Sequence, residues 1–136
     1  MADSHDMGAT LRQRVRKEVL AVDGVLEGPS IFREDDGTAF FVDAKQMAEF
    51  GDGNTIGIRL SKEVIREHRE RLKADPRVEP RRSGSDWVIV SFPRASDIPF
   101  VIELVELAAA RYRPPPGVAA KPPPTGADLE RRRRWH

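Results

Sequence analysis

The chain has 136 residues, 39% of them hydrophobic and 33% charged, which is the size and make-up of one globular domain. It contains no cysteine, so a disulfide framework, thiolate metal sites and cysteine nucleophiles are excluded. The formal net charge of +1 hides an uneven split: from Arg111 onward seven basic residues face two acids, leaving −4 on residues 1–110 and +5 on the remainder.

No stretch approaches the ~18 consecutive apolar residues of a membrane span. Met1 to Arg16 has no apolar run of the secretory kind. Together with the absence of cysteine, these features predict a cytoplasmic protein that does not enter a membrane. Residues 1–9 read as a flexible leader. From Thr10, a capping residue, Leu11, Val15, Val19, Leu20 and Val22 recur at helical spacing with arginines on the other face. Asp23-Gly24 ends that helix.

Val25 to Phe32 reads as extended, and Asp36-Gly37 between apolar runs predicts a hairpin into a strand over Thr38 to Asp43. Gln46 to Phe50 is a short segment leading to the turn Gly51-Asp52-Gly53-Asn54. Thr55 to Leu60 then alternates with strand period. Ser61 is placed to cap a helix running to about Lys73, which Asp75-Pro76 stops. Trp87 to Phe92 reads as a strand whose partner lies near Val78 to Arg82. Ser96 is placed to cap a last helix bearing Ile98, Val101, Ile102, Val105 and Ala109 on one face. The order helix, strands, helix, strands, helix predicts a single α+β domain over residues 10–112, with a largely antiparallel sheet and three helices. Residues 113–136 hold two Pro-Pro-Pro runs and four consecutive arginines, a composition that predicts a disordered, solvated tail.

Several motifs invite a site and fail on their chemistry. Asp52-Gly53-Asn54-Thr55-Ile56-Gly57 with Glu63 mimics a calcium loop, but Ile56 stands where an oxygen ligand belongs. His5, His68 and His136 have no metal-ligand spacing, and His68, sharing a face with Val64 and Leu72, reads as a half-buried packing residue. Ser83-Gly84-Ser85-Asp86 precedes a strand, whereas a nucleophile elbow leads into a helix. No phosphate-cradling glycine loop or dinucleotide fingerprint is present, so no metal is expected and the cofactor, if any, stays open.

One succession of residues carries a resemblance. Val25 to Arg33, Ala39 to Val42, Ala48-Glu49-Phe50-Gly51-Asp52-Gly53, Ile58-Arg59-Leu60, Ser85-Asp86-Trp87-Val88 and the closing Phe100 to Ala109 segment together resemble the luciferase-like domain family. The resemblance spans residues 10–112 and implies a small α+β domain. Many members carry histidines around the segment that here reads Ala48 to Gly53. This chain has none there, so light emission is not implied by the family name.

Three functional expectations follow. The first is a small-ligand or protein binding module using Phe40, Phe50, Trp87 and Phe92 between the sheet and its helices. The second is a nucleic-acid accessory protein using Arg81, Arg82 and the tail's Arg131, Arg132, Arg133 and Arg134. The third is a hydrolase or oxidoreductase whose acid and base come from Asp43, Glu49 and Asp52, with Asp35 and Asp36 nearby.

Overall fold

A computed structural model of the chain describes residues 10–31, 37–80 and 84–135. Asp35, Asp36, Arg81 and Arg82 lie outside the described residues. The chain opens with helix α1 (Leu11–Leu20), whose start is closed by a capping box: the Gln13 N–H donates to the Thr10 hydroxyl, and the Thr10 N–H donates to the Gln13 side chain. Strands β1 (Leu26–Pro29), β2 (Thr38–Val42), β3 (Lys45–Phe50) and β4 (Thr55–Arg59) follow as an antiparallel meander. Helices α2 (Lys62–Glu67) and α3 (Arg69–Ala74) come next, then β5 (Val78–Pro80), β6 (Trp87–Ser91) and the long helix α4 (Ile98–Tyr112). The sheet is fully antiparallel, in the order β1-β2-β3-β4-β6-β5. Its edge strands are short and each contains a proline, Pro29 or Pro80, which removes a backbone donor and blunts further pairing.

The α+β architecture follows the sequence expectation, with differences in its parts. The segment Gln46 to Phe50 is a central strand. It is entered through the two-residue turn Asp43-Ala44, where both residues take positive φ (51° and 64°), the geometry of a type I′ hairpin without its usual glycine or asparagine. The helix expected to run from Ser61 to Lys73 bends at His68 (φ −107°, ψ 17°) into α2 and α3. The His68 N–H still bonds the Val64 carbonyl, and the Leu72 N–H bonds the His68 carbonyl. The bend leaves His68 half-buried and turns Leu72 into the core. Ser96 does not cap α4, because a 3₁₀ turn over Ala95–Asp97 precedes it. Within that turn the buried Asp97 carboxylate accepts the Arg94 N–H. After Arg113 an extended stretch runs to Thr125, followed by helix α5 (Gly126–Trp135), so the described residues contain five α-helices where three were expected. No described helix is long and apolar enough to cross a membrane.

One face of the sheet carries the core. Phe40, Val42, Ala48, Phe50, Ile56, Ile58, Val88 and Val90 meet Val15 and Val19 of α1 and Val101, Leu104, Val105 and Ala108 of α4. Every member of this cluster falls between Val15 and Ala109. Strand alternation sends the other set outward: Gly28, Ala39, Phe41, Gln46, Glu49, Gly57, Arg59, Trp87 and Ile89. An irregularity in the β2–β3 register between Phe40 and Phe41 accompanies the burial of both rings, on opposite faces.

Candidate functional site on the outer sheet face

The four aromatics expected to line one pocket do not meet. Phe40, Phe50 and Phe92 form an edge-to-face chain inside the core, with centroids 5.7 Å and 6.2 Å apart, and are buried. Trp87 points to the other face, its ring beside Gly57, where an added β-carbon would sit 3.5 Å from Cε3. Three of the four are therefore packing residues and one belongs to the outer face. Sequence alternation alone contained that division, because Trp87 is out of phase with Val88 and Val90.

The three candidate acids do not converge either. Asp43 and Asp52 stand at opposite ends of β3, and Glu49 projects from the outer face between Ala39 and Gly57. Glu49 accepts hydrogen bonds from the Ser30 hydroxyl (2.8 Å) and the Gln46 amide (3.0 Å), while the Gln46 carbonyl oxygen accepts the Ile31 N–H (2.7 Å). Gln46 and Ser30 are almost fully buried, and this network satisfies them. At the β3–β4 turn the Arg12 guanidinium donates to the carbonyls of Gly51 (2.7 Å) and Gly53 (2.6 Å) and lies over the Phe50 ring. Those carbonyls are occupied by the Arg12 guanidinium rather than turned toward a metal-ion site. Among the described residues no group of three His, Cys, Asp or Glu side chains has metal-holding geometry.

Away from this face, a cleft of about 450 Å³ is lined in part by Arg71, Asp75, Arg77, Arg94 and Asp97. Arg77 stacks on Phe100 at 4.1 Å, donates to both oxygens of Asp75 and reaches Asp97 at 3.3 Å. These hydrogen bonds hold the Asp75 carboxyl below its ordinary range and raise Arg77. Arg71 is paired with Glu103, and Arg94 approaches Asp97 at 3.7 Å. Each charge in the cleft already has an opposite partner, and the network fastens α3 and β5 to the start of α4.

The outer face differs in having a second layer laid over part of it. Arg113 donates to the Asp23 carbonyl, and the chain then turns round the β2–β3 end of the sheet, where the Lys121 N–H donates to Asp43 (2.8 Å). Pro123 lies against Gly28 and close to the Phe41 ring, so that a β-carbon on Gly28 would come within 2.9 Å of Pro123 and 3.1 Å of Phe41. Pro124 and Leu129 are buried. Ala39 and Phe41 are buried without belonging to the main core cluster. Further across the sheet Gly57, Arg59, Trp87 and Ile89 keep intermediate exposure, and Arg59 is tied to Asp86 at 2.7 Å. Of the tail arginines, Arg131 is exposed and paired with Asp128, and Arg134 is exposed. No protein-family model, curated protein or solved structure matches the chain.

Proposed function

We propose that this chain is a luciferase-like domain that works as a protein-binding module, and that its recognition surface is the outer sheet face from Phe41 to Trp87. The observation that carries this reading is that the chain already holds an extended segment of its own against that face, at Gly28 and Phe41. A face with aromatic side chains, an arginine and a buried polar network offers both apolar area and hydrogen-bonding specificity. Two further observations support binding over catalysis: the candidate carboxylates are spread along β3, and the charged cleft is neutralised by its own pairs.

The test is amide chemical-shift mapping of the full chain against a panel of peptides and metabolites. Binding at the outer face moves the amides of Ala39, Glu49, Gly57 and Ile89. A ligand whose shifts gather instead at Arg71, Arg77 and Arg94 contradicts the reading.

A further inference from the structure

Resting on the binding-module reading, we infer that the β1–β2 part of the outer face is a groove for proline-rich extended peptides, filled in cis by Lys121 to Pro124 and open to such a segment of another protein. Three features of the seated tail define the ligand chemistry. Prolines 122–124 have φ fixed near −65°, so the segment is extended before it docks and loses little conformational entropy on binding. Pro123 rests where the missing side chain of Gly28 leaves room. A β-carbon there would meet both Pro123 and the Phe41 ring, so the seat admits a proline ring against bare backbone at the edge of an aromatic side chain. The residue before the prolines gives its backbone N–H to Asp43, which fixes the register of the peptide along β2.

The occupant is another protein's segment rather than a second copy of this tail, because an identical tail covers no more of the groove than the cis tail already does. The cis tail also leaves the groove incompletely covered. Leu26, the β-partner of Phe41, is 48% exposed, and Ile31 is 37% exposed. A foreign proline-rich segment carrying an apolar residue on that side covers Leu26 as well as Phe41, contact area with which it competes against the tethered tail.

The test uses the full chain and a fluorescein-labelled peptide spanning residues 118–130. Leu129→Asp places a charge at the buried position of α5 and is expected to release the tail. Gly28→Val in the same chain fills the proline seat. Fluorescence anisotropy is expected to show saturable binding to the Leu129→Asp chain, at least tenfold weaker binding to the wild type, and loss of binding when Gly28→Val is added. Replacing the three prolines of the peptide by serine is expected to weaken binding at least tenfold. Equal binding of the serine peptide, or equal binding to all three chains, overturns the inference. So does an absence of saturable binding to the Leu129→Asp chain at millimolar peptide. In that last case, ligand-induced shifts at Gly57 and Ile89 would leave the binding-module reading standing, and their absence would remove both. Concentration-dependent dimerisation of the wild type, lost on Gly28→Val, would overturn the choice of a foreign partner in favour of tail exchange.

Discussion

Gly28→Ala isolates the contact between the tail and the sheet. The added β-carbon sits 2.9 Å from the Pro123 β-carbon and 3.1 Å and 3.3 Å from two Phe41 ring carbons, against a preferred carbon–carbon separation of about 3.5–4.0 Å. Overpacking of this kind costs about 1–3 kcal/mol. Gly28 does not lie in the left-handed region, so alanine is compatible with its backbone and returns about 0.4–1 kcal/mol through the unfolded chain. The full chain is therefore destabilised by a net of about 1 kcal/mol. If tail docking is worth less than that, the tail lifts off and the loss stops at the docking energy. In a chain ending at Arg113 the Pro123 contact is gone and Phe41 has room to turn, so the same substitution becomes close to neutral. Urea unfolding of the four chains gives the coupling directly, since the main core between Val15 and Ala109 is common to all. An identical cost with and without the tail, to within about 0.5 kcal/mol, would refute the seat of Pro123 on Gly28.

Other substitutions probe the rest of the fold. Ala44→Gly removes a β-carbon from a left-handed turn position, relieving about 1–2 kcal/mol against a glycine entropy cost of about 0.5–1 kcal/mol, so the melting temperature rises by a few degrees. A lower melting temperature would count against the turn geometry. Arg12→Ala loses the guanidinium from the Gly51 and Gly53 carbonyls and from the Phe50 ring, and is expected to cost about 2 kcal/mol in denaturant unfolding. A cost below about 0.5 kcal/mol contradicts the anchoring role. Glu27 and Asp75 are both held below their ordinary range, first by hydrogen bonds from Arg16 and Arg77 respectively. Their contribution is fully present above the unfolded carboxylate values near pH ~4 and disappears as pH falls through the lower folded values. Glu27→Gln with Asp75→Asn is thus expected to flatten the loss of stability below about pH 4, and an unchanged acid limb would refute the assignment.

Local signals accounted for much of the fold. The Thr10 and Ser61 caps, the β3–β4 turn, the β5–β6 pairing and the apolar face of α4 were each legible from residue type and spacing. What the sequence hid has physical reasons. Asp43-Ala44 carries no glycine or asparagine, so the tight turn into β3 left no turn signal, and a central strand read as a connector. Phe40, Phe41 and Val42 are uniformly apolar because helices cover one face and the tail meets the other, so alternation could not say which ring faces which way. In helix α5, Leu129 is buried although the residues around it in sequence are prolines, arginines and acids, and composition alone gives no sign of that burial. The make-up of the outer sheet face was only partly legible. The alternation of β6 sets Trp87 out of phase with Val88 and Val90, but that it shares a face with Gly57 and Arg59 follows only from the β4–β6 register.

The central claim is that the chain's own proline segment occupies the outer sheet face, and the most direct measurement is a set of nuclear Overhauser contacts in the full-length protein. The account predicts cross-peaks from the Pro123 ring protons to the Phe41 ring and to the Gly28 α-protons. It also predicts slowed exchange of the Lys121 amide, through its bond to Asp43. Random-coil shifts throughout residues 118–130, with no contact to Phe41 and a freely exchanging Lys121 amide, would contradict it.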